Sequence, residues 1–321
     1  MEEVSRPVNP PPSDSTETTP DVGWTPIAEE AARAARLLHP ERTLPRPGRR
    51  RVMTVANQKG GVGKTTSTVN LAAALAVHGL KTLVVDLDPQ GNASTALDVD
   101  HRSGTPSIYE VLIGEVTLAE AAQPTEQSPN LFCVPATIDL AGAEIELVSM
   151  ASRESRLKEA ISSEILNEIG VDYVFIDCPP SLGLLTVNAM VAAQEVLIPI
   201  QCEYYALEGL GQLLSNIELV QQHLNRELRV STILLTMYDG RTKLADQVTN
   251  EVRNHFGDTV LKTVIPRSVK VSEAPGYGQT VLAYDPGSRG ALSYVDAAKE
   301  IAERGALMDE HGAQIEKGSS T

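Results

Sequence analysis

The chain has 321 residues, 42% hydrophobic and 21% charged, with a formal net charge of −15. That balance suits a folded α/β protein with one substantial core, and no run approaches the roughly 20 apolar residues of a membrane span. An acidic chain can hold a polyanion such as DNA only through a local basic face, so any nucleic-acid reading must first find one.

Residues 1–50 read as a disordered extension, because Pro7, Pro10, Pro11, Pro12 and Pro20 stand among Ser, Thr and acidic residues with too little apolar surface to offset chain entropy. The N-terminus carries no apolar stretch of signal-peptide type, and a cytoplasmic chain is expected. Within the extension, Thr25 suits an N-cap and Pro26 a first helical position, so a short helix is expected near 26–38. Arg46, Arg49, Arg50 and Arg51 then make a basic linker, expected to be solvated.

From residue 51 to about 304 apolar strands alternate with helices. Strands are expected at 52–56, 81–86, 130–135, 171–177, 195–200 and 230–236, and helical patterns at 139–151, 154–169, 182–193, 207–224 and 288–304. Continuous apolar strands separated by helices imply a mostly parallel, twisted sheet covered on both faces, with ligands at the carboxyl ends of its strands. Residues 305–321 read as a polar, flexible tail. Cys133, Cys178 and Cys202 lie far apart in apolar runs and are expected to be free, buried thiols.

The chemistry is carried by residues 57–66, Asn-Gln-Lys-Gly-Gly-Val-Gly-Lys-Thr-Thr, between the first strand and the first helix. Gly60, Gly61 and Gly63 let backbone N–H groups turn inward around an anion, Val62 and Thr66 complete the loop, and the helix N-terminus adds its positive end. Lys64 is placed to reach the β/γ-phosphates of ATP and Thr65 to take a position on Mg²⁺. Two further carboxylate sites close strands. Asp86 and Asp88 lie two apart at the end of the second strand, and Asp177 ends an apolar run, Val174-Phe175-Ile176, in the manner of a Walker B strand. Asp88 and Asp177 are therefore the remaining candidates for the metal shell.

The loop departs from the ordinary G-x-x-x-x-G-K-[ST] at Gln58, and Lys59 precedes the glycines. In this it resembles the deviant Walker A motif of the ParA/MinD ATPases. The resemblance extends over residues 52–304, and the segments Thr236–Thr242 and Ile265–Pro275 are similar to chromosomal ParA (Soj) proteins. It implies that Lys59 reaches a partner's nucleotide across an ATP-dependent homodimer, and that Asp88 positions or activates the attacking water. It also implies that Met237 and Pro266 lie near the adenine, and that basic residues of the same segments touch DNA. Such proteins are slow ATP hydrolases that associate with the nucleoid and segregate chromosomes with a centromere-binding ParB partner; a polar scaffold protein is a further partner to test.

A basic face is available for this. Residues 226–270 hold eight basic residues against five acids, while the rest of the chain sums to −18. No helix-turn-helix or zinc-finger spacing is present, so sequence-independent phosphate binding is expected, and the family resemblance makes Arg241, Lys270 and Arg267 the candidates. Three other readings compete. A MinD-like membrane ATPase would need an apolar amphipathic C-terminus, where this chain is acidic and broken by Gly305 and Gly312. A nucleotide-driven iron–sulfur protein would need paired cysteines at a dimer interface. A partitioner of plasmid or other cargo would look nearly the same.

Overall fold

A computed structural model describes residues 43–161, 163–205 and 208–318. The expected helix near 26–38 lies outside these residues. The chain runs β1 (Arg51–Val55), α1 (Lys64–Val77), β2 (Thr82–Asp86), α2 (Asn92–Ala96), α3 (Ile108–Ile113) and α4 (Leu118–Ala121). It continues through β3 (Gln123–Thr125), β4 (Ser128–Val134), α5 (Leu140–Val148), α6 (Arg156–Ala160), α7 (Ser163–Ile169), β5 (Tyr173–Asp177) and α8 (Leu184–Ala192). Then follow β6 (Glu195–Gln201), α9 (Glu208–His223), β7 (Arg229–Tyr238), α10 (Lys243–Phe256), β8 (Val260–Pro266), α11 (Val269–Glu273), α12 (Val281–Tyr284) and α13 (Arg289–Gly318).

The eight strands form one sheet in the order β3-β4-β2-β5-β1-β6-β7-β8. All pairs are parallel except β3 against β4. Side chains alternate across each strand, and both faces are apolar, which is why these strands read as continuous hydrophobic runs. Val52, Val85, Val174 and Ile176 face a core built with α3–α10. Met53, Val55, Val84 and Phe175 face a second core with α1, α12 and α13. β1 lies centrally between β5 and β6, so the loop leaving its carboxyl end opens at the switch point of the sheet, where such folds bind ligands.

The mostly parallel sheet with helices on both faces is as expected from the residues; several elements are not. β3 and β8 were unforeseen: β3 is three residues with a proline, and Lys262 breaks the apolar run of β8. α10 was also missed, although Thr242 caps it by accepting from Ala245 N at 3.3 Å. The single helix expected over 154–169 is two, α6 and α7. The tail expected from 305 is instead a continuation of α13 to Gly318, because Gly305 costs only about 1 kcal/mol inside a run of good helix formers. The basic linker is also less free than expected. Arg50 donates to Val171 O at 3.0 Å and to Asn167 Oδ1 at 2.6 Å, and Arg46 pairs with Asp172 at 3.6 Å.

Arg51 and Glu195 form the one ion pair among the described residues with both side chains almost wholly buried. Arg51 Nε and Nη2 donate to Glu195 at 2.8 and 2.6 Å, and Nη1 donates to Ile301 O at 2.7 Å. The fork ties β1, β6 and α13 together at the end of the sheet remote from the phosphate loop.

Candidate active site

The loop after β1 is fastened before it reaches its glycines. Asn57 Nδ2 donates to Pro199 O at 2.8 Å, and Asn57 Oδ1 accepts from Lys59 N at 3.0 Å. Gly61 (φ +72°) and Gly63 (φ +90°) adopt left-handed backbone that side chains disfavour. Gly60 and Gly61 face open space, with no atom within 4 Å of where a Cβ would stand. Beneath them Thr236 Oγ1 donates to Val62 O at 2.8 Å, so β7 props the loop from behind. α1 begins at Gly63 with no side-chain cap and no acid in its first turn. Its first N–H groups and positive dipole end are left for an anion.

Lys64 is 8% exposed. Its Nζ donates to Lys59 O at 3.4 Å, bridging the loop. Burial pulls the ammonium pKa down, and Asp177, Cys178 and Asp88 push it back up. The lysine thus lies among carboxylates, at the head of a helix that favours negative charge.

Asp86 and Asp177 are register partners on β2 and β5, and both are fully buried. They differ in what holds them. Asp86 accepts from Ser94 N at 2.8 Å, Ser94 Oγ at 2.7 Å and Asp88 N at 3.2 Å. Its carboxylate is turned toward α2 and anchors the Asp88 turn. Asp177 accepts from Thr68 Oγ1 at 3.1 Å, while its Oδ2 is buried without a hydrogen-bond partner among the described residues. Desolvation, then the Asp86 charge, raises its pKa well above the usual carboxylate range, against the Thr65 and Thr68 hydroxyls. A buried carboxylate oxygen lacking a donor, next to Thr65 and a cation, is a donor set that suits a hard divalent ion. Asp88 is 8% exposed and accepts from Gln90 N at 3.0 Å; its charge acts on both Lys64 and Asp177. Cys178, beside Asp177, is an inert thiol: burial pushes it up to about 12.

Lys59 stands apart from this cluster. Its ammonium is 3.7 Å from Glu203 Oε2, just beyond β6, and its side chain is 39% exposed. It points along the surface of its own protomer, outside the phosphate cradle.

Met237 and Pro266 do come together. With Gly63, Thr66, Thr236, Ile265, Arg267 and Tyr294 they line a cavity of about 260 Å³ next to the phosphate loop. Met237 holds φ +51°, uncommon for a side-chain-bearing residue and costing about 1–3 kcal/mol. A second, open groove of about 960 Å³ adjoins it, lined by Arg241, Arg267, Arg289 and Val269 among others. Arg241, just after β7, and Arg267, just after β8, therefore line one groove, with Lys270 next in chain to Val269. Arg289 was not foreseen, since only the packing of α13 beside β8 brings it here. Glu203 was missed as a site residue, and the fastening roles of Asn57 and Thr236, though both lie in the segments singled out from the sequence, were not foreseen, because such contacts leave no motif.

Residues 50–230 match a family described as an AAA domain. The chain is 52% identical over 255 residues to the sporulation initiation inhibitor protein Soj of Bacillus subtilis, covering 79% of this chain and 99% of that protein. It is 49% identical to the chromosome partitioning protein ParA of Myxococcus xanthus, covering 79% and 88%. Among solved structures it is similar to cobyrinic acid a,c-diamide synthase from Mycobacterium smegmatis with bound ADP and magnesium, at TM-score 0.66, 40% identity, and 78% and 93% coverage. With its phosphate loop, strand-end carboxylates and parallel sheet, the chain belongs to the ParA/Soj family of P-loop partitioning ATPases.

Proposed function

We propose that this ATPase is a nucleotide-switched DNA binder that partitions chromosomes. Mg²⁺-ATP would be held by the backbone of residues 60–66, by Lys64, by Thr65 and by Asp177, with the base in the cavity of Met237 and Pro266. When bound, Mg²⁺ supplies neutralisation of the charge that develops on the phosphoryl oxygens. Lys64 shares that load, and Asp88 orients the attacking water. Lys59 leaves Glu203 and reaches the nucleotide of a second protomer. Excluding water from the closed interface strengthens these charge interactions. Turnover is slow, so that the bound state persists, and ParB stimulates hydrolysis through a basic segment suited to the acidic surface.

One observation carries the link between nucleotide and DNA. The nucleotide cavity and the basic groove share a wall, Pro266, Arg267 and Ser268, and Arg267 N donates to Tyr238 O at 3.0 Å across β7 and β8. A base seated on one side bears on the same residues that present cations on the other. The test is binding to a non-specific DNA duplex with ADP and with ATP, for wild type and Lys59→Ala, at several salt concentrations. ATP-dependent, salt-sensitive binding that Lys59→Ala loses is expected. Equal or absent binding in both nucleotide states overturns the reading.

A further inference from the structure

Two of the cations in or beside the groove are not free. Arg241, 88% exposed, is forked onto Asp239, with Nε to Oδ1 at 2.8 Å and Nη2 to Oδ2 at 2.7 Å. This planar, two-bond pairing is the geometry in which a guanidinium takes a phosphate. Lys270 Nζ donates to Glu273 Oε2 at 3.4 Å, and the Tyr284 hydroxyl donates to the same oxygen at 3.3 Å. The ammonium also lies 5.4 Å from the centre of the Tyr284 ring. Arg267 and Arg289 also line the groove, and among the described residues neither forms an ion pair within 4 Å, though the Arg267 charge acts on Asp239. The two acids sit two and three residues from their cations, so the pairs form wherever the local backbone forms.

We propose that Asp239 and Glu273 are built-in phosphate surrogates, which occupy Arg241 and Lys270 and set the DNA affinity of the groove below what its cations would give. This rests on the DNA-binding reading above. Each acid competes with DNA for its cation, so the wild-type complex makes fewer phosphate contacts, and releases fewer counterions, than the number of cations suggests. A lower affinity keeps each contact brief, as a protein that must let go of DNA after hydrolysis requires.

The test is the full-length protein with ATP and Mg²⁺ on a non-specific duplex, comparing wild type with Asp239→Asn, Glu273→Gln, the double variant and Glu218→Gln. Asn keeps the acceptor that Arg241 N uses at 3.1 Å, so the turn is preserved, and thermal melts check each fold. Glu218, exposed on α9 and outside the groove lining, controls for net charge alone. Each groove variant should bind about two- to fivefold more tightly, the range an exposed ion pair is worth. The slope of log K against log salt should steepen by about one for each cation freed. Unchanged affinity and slope in the groove variants, or an equal gain in Glu218→Gln, overturns the proposal while wild-type binding upholds the reading beneath it. Absence of wild-type binding in any nucleotide state overturns both.

Discussion

Replacing Asp177 by Asn removes a charge that the fold buries at a cost. Asp177 is fully buried, its Oδ2 has no donor among the described residues, and Asp86 faces it from the next strand. Burying a carboxylate costs several kcal/mol even after relaxation, and Lys64 and the Thr68 hydroxyl offset only part of that for Asp177. Asn keeps the acceptor for Thr68 Oγ1 and turns an N–H₂ toward the Asp86 side. Nucleotide-free, metal-free Asp177→Asn should therefore be more stable than wild type by about 2–4 kcal/mol, a rise in Tm of about 4–16 °C for a domain of this size. The pH dependence has a definite sign. A carboxyl whose folded pKa is raised binds more protons folded than unfolded, so wild-type stability falls as pH rises from the unfolded pKa through the folded one. Asp177→Asn should flatten that fall. The assay is differential scanning fluorimetry in EDTA between pH 5 and 8, with a second series in Mg²⁺-ATP, where the wild type should gain stability and the variant little. A lower Tm for Asp177→Asn in EDTA, or a fall with pH as steep as the wild type's, would refute the assignment of Asp177 as a charge stored for a cation.

Arg51→Met should lower stability by about 3 kcal/mol in urea melts, because it leaves the buried Glu195 with only the half-exposed Arg229, 3.7 Å away, to pair it, while Arg51→Met/Glu195→Leu should recover much of the loss. Thr236→Val keeps the shape but removes the donor to Val62 O; a loss of about 1–2 kcal/mol is expected, with weaker nucleotide binding by titration calorimetry. Gly63→Ala forces a side chain onto φ +90° and should cost about 1–2 kcal/mol, read by the same urea melts.

The loop, the strand-end acids and the alternating pattern were legible because each is a local requirement. Gly61 and Gly63 are needed at their own φ values, Asp177 closes its own strand, and a strand buried on both faces must be apolar throughout. From these residues alone the parallel sheet, the phosphate site and the family resemblance follow. The tertiary structure decided what depends on distance in sequence. Asp86 and Asp177 become neighbours only when β2 and β5 pair, and their different surroundings, Ser94 for one and no donor at Oδ2 for the other, separate an anchor from the carboxylate proposed to hold the metal. Lys59 meets Glu203 because β1 lies beside β6, and Arg289 joins Arg241 and Arg267 because α13 packs beside β8. Motifs record the chemistry one segment must bring. Which charges oppose, shield or free one another is set by Coulomb energies between segments, and those exist only once the sheet has brought them together.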